Sequence, residues 1–487
     1  MRETTTSLWR KTAPETPRPA LRGHLRTQVA IIGAGLAGVL IADRLREYGI
    51  PSVLLEASRV GSGQTQNSTA KITSQHGMIY DALILNFGEE KARQYAQANE
   101  EAVRAYERII RERNIDCGYR EAPAYLYTQT NPEPMQREAE AAAKLGIPAH
   151  FQRKTELPFP VAGAVRFDHQ ACFHPLRFLQ SVSDGLTIYE QSPVLSVEGK
   201  RLRLPNGEVE ADAIVFACHF PFVNWPGAYF MRMHQERSYI LALQSAWRPE
   251  GLYFGVDNGG LSFREAEGLL LVAGGNHRTG ENSCGGRYEE LLSRVHSILP
   301  DARETARWSA QDCITLDGVP YIGRFSSAAS DWYVATGFAK WGISTSMVSA
   351  LLIAGSIAGK EPEWAEVFSP SRFQLSASAK NLVTDTLQAF KGLSRSILAI
   401  PSETLQNLPN GHGGIVEADG GKAGVYKDEQ GCCFVVEPRC PHLGCQLEWN
   451  PDEKSWDCPC HGSRFHYDGS LLDNPAQEDL PSSSPTR

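Results

Sequence analysis

Two short runs near the end of the chain carry its most reactive residue types: Cys440, Pro441, His442, Leu443, Gly444, Cys445, and then Cys458, Pro459, Cys460, His461, Gly462, Ser463. Fifteen residues separate His442 from Cys458. Each run offers one thiol and one imidazole, plus an additional cysteine. A mixed-ligand [2Fe-2S] centre needs two thiolates on one iron and two imidazoles on the other, so two facing loops of this kind supply a full ligand set. Cys440, His442, Cys458 and His461 are the expected ligands. Zinc also accepts two cysteines and two histidines, although its sites usually group like with like, and buried cysteines can serve simply as small apolar side chains.

A second pattern lies near the other end. Val29 to Ile32 is an apolar strand that enters Gly33, Ala34, Gly35, Leu36, Ala37 and Gly38, then a helix through Tyr48, then a second strand, Ser52 to Leu55, which ends at Glu56. In a dinucleotide-binding βαβ unit the first glycine makes the turn and the second admits a pyrophosphate against the backbone. The third lets helix and strand pack closely, and an acid about 20 residues on binds ribose hydroxyls. Glu56 is that acid. Ala57, Gly61, Ser62, Gly63, Ser68, Thr69 and Ala70 follow in a small polar loop suited to lining a cofactor. Far downstream, a strand from Trp332 reaches Gly337, Lys340, Trp341, Gly342, Ile343 and Ser344, where a further helix N-terminus can face a negative group. Asp317 to Gly323 reads as a turn and strand.

The cysteine and histidine runs resemble the Rieske proteins of respiratory and photosynthetic complexes. That resemblance implies a disulfide between Cys445 and Cys460 and a hydrogen bond from Ser463 to a cluster sulfur. Where those relatives carry a second donor, a tyrosine, this chain has Phe465, with Tyr467 two residues on. A midpoint below the respiratory relatives is therefore expected, inside the window of about −150 to +300 mV. The glycine, loop and C-terminal helix segments together resemble the FAD-dependent D-amino-acid, glycine and sarcosine oxidase family, in its subset fused to a Rieske domain. The resemblance implies oxidation of an amine or amino acid at a C–N bond and delivery of single electrons to the cluster. Cys313 does not align with the cysteine that binds flavin covalently in some relatives, so FAD is expected to be non-covalent. Arg264, Lys71, Tyr239, His277 and Lys340 are the candidate catalytic residues, with His76 beside them, named from their places near flavin-facing segments. Arg264 would clamp a carboxylate, since guanidinium pairs with it in bidentate fashion.

Those motifs require several domains, and 487 residues exceed one ordinary core. The expected architecture is an α/β Rossmann-like FAD-binding domain of glutathione-reductase type, an inserted α+β substrate domain and a C-terminal all-β Rieske domain. The FAD domain would be discontinuous, from 26–80, 160–222 and 310–360, after an N-terminal extension over 1–25. The substrate domain would comprise 81–159 and 223–309. A helical linker over 361–400, the Rieske domain over 401–475 and a disordered tail over 476–487 would follow.

The net charge of −8 and the lack of a basic cluster give nucleic acid no electrostatic footprint. Met1 to Arg26 contains no apolar signal-like run, and Ile343 to Ala358 is too short and too serine-rich to span a membrane. A cytoplasmic location is expected, with a small amine or amino acid as substrate and a further electron acceptor downstream. The alternative is a flavin and iron-sulfur redox sensor that turns over no substrate. A Rieske oxygenase would need a second iron site of two histidines and a carboxylate, and no such pattern occurs outside the cluster runs.

Overall fold

A computed structural model describes residues 5–372, 403–404, 408–418 and 421–486. The strand Gly23–Ile32 lies at the centre of an eight-stranded sheet, parallel to Ser52–Leu55 on one side and Gly207–Phe216 on the other. Ile188–Tyr189 extends one edge, and Ala329–Thr336 pairs in parallel with the end of Gly207–Phe216. Alternate apolar side chains of the central strand bury on both faces, as a parallel sheet requires. Helices Leu36–Glu47 and Gly342–Ile357 pack together on one face, with the 24-residue helix Glu89–Glu112 behind them.

A second eight-stranded sheet contains Ala124–Thr128, Ala149–Gln152, Gly163–Phe167, Met233–Gln244, Leu252–Gly255, Ser262–Ala266, Leu269–Arg278 and Arg303–Thr315. Met233–Gln244 lies between Leu269–Arg278 and Arg303–Thr315, antiparallel to both. Gly163–Phe167 and the whole of Arg303–Thr315 thus belong to this sheet, so residues 163–167 and 310–315, expected in the FAD domain, lie with the substrate domain instead. The reason is pairing across long chain separations, which local periodicity does not encode.

The N-terminal residues are likewise more than an extension. Leu8–Thr12 is a short helix capped by Ser7, and the fully buried Trp9 donates its indole N–H to the Ser68 carbonyl at 2.7 Å.

From Glu403 on, the described residues are all β, in a five-stranded and a four-stranded sheet. The expected tail is part of it: Ala476 and Leu480 are buried, and Ser482–Thr486 pairs with Cys433–Val436. Of the expected linker, 373–400 lie outside the described residues, and Ala365–Phe368 is a single 3-10 turn. Among the described residues no helix is long and apolar enough to cross a membrane.

Candidate functional site

Gly33 turns with φ of 102°, and a side chain there would put Cβ 2.6 Å from the Ala217 carbonyl oxygen. A Cβ on Gly38 would overlap the Gly33 carbonyl oxygen. These two glycines let the helix Leu36–Glu47 start against the strand end, with its first amides at the wall of a cavity of about 680 Å³. The Leu36 amide donates to Thr65 Oγ1 at 3.0 Å, and Glu56 accepts from the Ala34 and Ser58 amides at 2.8 and 2.9 Å. Burial raises the Glu56 pKa, against the pull of those amides. Glu56, the Ser62–Ala70 loop and Lys340–Ile343 all line the cavity. A helix start, an acid at the neighbouring strand end and a large cavity walled in part by glycines fit FAD.

Of the residues expected to hold the cofactor, Gly38, Gly61, Gly337 and Ser344 are set behind the cavity wall and the others line it. Gly61 abuts Leu176 and Leu179, and Gly337 abuts Thr315. Ser344 Oγ bonds His76 Nε2 at 2.8 Å, while His76 stacks on Trp341 and bonds Tyr95 through Nδ1. Burial lowers the His76 pKa to about 3, so this imidazole is a neutral support for Trp341.

Among the candidate catalytic residues, Lys71 and Lys340 line the cavity. Lys71 is buried and donates to the Tyr253 carbonyl at 2.8 Å and Ser262 Oγ at 2.5 Å. Burial, then the nearby Arg264 charge, lowers its pKa to about 7. Burial also disfavours the Lys340 charge, but Asp312 at 2.8 Å and Glu236 at 3.7 Å raise its pKa above the usual value. The other three face elsewhere. Arg264 is buried, donates to the Thr69 and Ala70 carbonyls and lies over the Trp9 ring, so its guanidinium secures the cofactor loop. Tyr239 and His277 bond each other at 3.0 Å, and Asn282 links the tyrosine hydroxyl to Asn450 and Asp452 of the β domain.

Sequence reading missed Cys218 and His219, which line the cavity at the C-terminal end of a parallel strand, the place where ligands bind in open α/β sheets. The available signal was the buried strand Ala213 to Ala217 that precedes them. Cys313, by contrast, is buried with its sulfur 3.6 Å from Met233 Sδ and is not part of the cavity wall.

In the β domain, Cys440 and Cys458 are buried at the tips of the two cysteine-histidine loops. The His442 and His461 rings stand edge to face, 5.0 Å between centroids. Cys445 and Cys460 are joined by a disulfide, so neither can act as a thiolate ligand. The amides of His442 and Leu443 point at the Cys440 sulfur, and those of Cys460 and His461 at Cys458. His442 bonds Asn224 Oδ1 through Nε2 at 2.8 Å, and its Nδ1 is buried with no hydrogen-bond partner among the described residues. An inward imidazole nitrogen of this kind, beside two buried thiols and a disulfide-tied second loop, fits a Rieske cluster. The Ser463 hydroxyl reaches Cys440, whereas Phe465 is fully buried and the Tyr467 ring packs on Tyr426 and Phe434.

The two sites share a boundary. Leu471, Leu472, Asp473, Asn474, Ala476 and Gln477 of the β domain form part of the wall of the large cavity. Asn474 donates to the Cys218 and Phe220 carbonyls at 2.9 and 2.5 Å, which clamps the segment that carries His219.

Residues 28–355 match the family described as FAD dependent oxidoreductase, and residues 400–484 match the Rieske [2Fe-2S] domain. A Bacillus subtilis (strain 168) protein carried under the name Rieske 2Fe-2S iron-sulfur protein YhfW is 36% identical, over 96% of each chain. The gamma-glutamylputrescine oxidoreductase of Escherichia coli (strain K12) is 24% identical over 45% of this chain and 55% of its own length. Among solved structures, glycine oxidase from Geobacillus kaustophilus superimposes with a TM-score of 0.62 at 20% identity, over 72% of this chain and 99% of that one.

Proposed function

The chain belongs to the FAD-dependent oxidoreductase family and carries a Rieske [2Fe-2S] domain, and from that premise we propose that it is an amine or amino-acid dehydrogenase that passes its electrons inward to the cluster. Bound in the two sites, FAD supplies acceptance of a hydride equivalent from a C–N substrate and the cluster supplies one-electron storage. The observation that carries the reading is the shared wall: the segment Leu471–Gln477 of the Rieske domain and the loop Ser62–Ala70 of the dinucleotide domain border one cavity.

This chain's own groups would do the remaining work. The amides at the start of Leu36–Glu47 would bind phosphate charge and Glu56 the ribose. From the second sheet, Phe254 and Ser262 reach the cavity wall beside Lys71. Lys71, with its pKa near 7, is able to hold or release a proton there under ordinary conditions. The names of the glycine oxidase and the gamma-glutamylputrescine oxidoreductase support a C–N substrate for this chain.

Anaerobic titration of the holoenzyme with a panel of amines and amino acids tests the proposal. At least one compound should bleach the flavin bands and then produce the low-average-g EPR signal of a reduced mixed-ligand cluster. Flavin that no member bleaches would favour a redox sensor, and bleaching with a cluster that stays oxidised would sever the two halves of the reading.

A further inference from the structure

Between the cavity and the cluster loops lies a set of amides whose hydrogen bonds fix one another's orientation. Gln235 and Gln311 are both 1% exposed, on adjacent antiparallel strands. Gln235 Nε2 donates to the carbonyl of His461 at 2.7 Å and to that of Asn474 at 3.2 Å. Its Oε1 accepts from Gln311 Nε2 at 2.7 Å and bonds His219 Nε2 at 3.0 Å. Gln311 Nε2 also donates to the Gly462 carbonyl at 2.8 Å. The two carbonyls require the nitrogen of Gln235 to face the Rieske domain, which directs its oxygen toward Gln311 and His219.

The same glutamines touch both sites. His219 and Gln311 line the large cavity, and the carbonyl that Gln235 holds belongs to His461, an expected ligand of the cluster. Gly462 meets this bridge without a side chain: φ is +81°, and a Cβ would lie 2.6 Å from Gln235 Cβ. The backbone of the cluster loop therefore rests directly on the glutamine.

We propose that Gln235, oriented by Gln311 and His219, is a positioning residue that holds the His461–Gly462 peptide against the cavity wall and so sets the coupling between the two redox sites. The inference rests on the proposed dehydrogenase reading and adds a residue to it. In the step concerned, one electron leaves fully reduced flavin and converts one ferric ion of the cluster to ferrous, with no bond made or broken. The second electron follows once a one-electron acceptor has reoxidised the iron. A buried carbonyl deprived of its donor is costly, so loss of the Gln235 amide lowers the docked population rather than leaving the contact unchanged.

The test uses the holoenzyme and needs no substrate. Flavin is photoreduced anaerobically, and the EPR signal of the reduced cluster is followed by freeze-quench in wild type, Gln235→Leu, Gln311→Leu and Tyr288→Phe. The Gln235→Leu rate should fall by about tenfold or more, given the usual cost of a buried unsatisfied group. Flavin content, cluster g-values and cluster midpoint potential should stay at wild-type values, which a general loss of structure would not permit. Gln311→Leu spares the His461 contact, should slow transfer in the same direction, and decides the matter where Gln235→Leu fails to fold. Tyr288→Phe removes one interdomain hydrogen bond to Glu453 but leaves that carboxylate paired with Arg237 and bonded by Ser309, so the boundary network stays intact and the rate should not change. Wild-type rates in both glutamine variants would overturn the bridge and leave the dehydrogenase reading standing. A wild-type cluster that stays oxidised beside reduced flavin would overturn both.

Discussion

Lys71 and Arg264 show at residue scale how burial redirects a side chain's chemistry. A lysine that is neutral in the fold and charged in the unfolded chain makes the unfolded state bind more protons between pH 7 and 10.5, so in that interval stability rises with pH. Below about pH 7 the lysine is charged in both states and the penalty is constant. Lys71→Met removes that titration, together with the pH-independent hydrogen bonds to Tyr253 and Ser262. Urea unfolding of the two proteins should therefore show the variant gaining on wild type as pH falls from 10 toward 7. A stability difference that is flat across that interval would mean that Lys71 keeps an ordinary pKa in the fold. Residue types alone pointed to Arg264 as a carboxylate clamp, because its donor geometry is visible in sequence and its partners are not. The carbonyls of Thr69 and Ala70 that occupy it come from a loop almost 200 residues away.

Glycine spacing carries the same kind of information one level up, at the element. The helix Leu36–Glu47 crosses its strand so closely that Gly38 has no room for a methyl group, since the obstacle is the Gly33 backbone rather than a movable side chain. Gly38→Ala should destabilise the protein by about 1–3 kcal/mol, the usual cost of overpacking, and should release flavin on gel filtration. Full flavin retention at wild-type stability would show that the helix can shift away without loss. This element was legible in sequence because strand, turn, helix and acid are contiguous. The two loops of the cluster site were legible for a related reason, since ligand chemistry restricts both residue type and spacing. Residues 163–167 and 310–315 are read from sequence into the wrong domain because an alternating strand reveals which face is buried and not which strand lies beside it. Ser482–Thr486 escaped notice because a polar strand at a sheet edge is held by backbone hydrogen bonds, which leave no mark in side-chain composition.

At the scale of the whole molecule, the Rieske domain is held by charges that have been withdrawn from water. Arg237 and Glu453 pair across the domain boundary at 2.9 Å with side chains 2% and 8% exposed, and Tyr288 and Ser309 donate to the same carboxylate. Arg464 then links Glu453 to Asp457 and to Asp473, which borders the cavity. Burial works against the Arg464 charge, yet the surrounding carboxylates raise its pKa, and Arg464 with Arg237 lowers that of Asp457 despite its own burial. Screening by salt acts on exposed charges separated by about a Debye length, roughly 10 Å at 0.1 M, and only weakly on pairs in direct contact inside the protein. If domain docking depends on this network, the rate at which photoreduced flavin reduces the cluster should change by less than about twofold between roughly 0.05 and 0.5 M salt. Glu453→Leu strands Arg237 next to a boundary it no longer neutralises, and breaking a buried pair in this way costs about 3–5 kcal/mol. That variant should transfer electrons more slowly and unfold its Rieske domain at a lower urea concentration, read from the loss of the cluster's visible absorption. A wild-type rate that collapses at high salt would instead place the docking energy on exposed charges, with a Rieske domain that visits the cavity wall rather than residing on it.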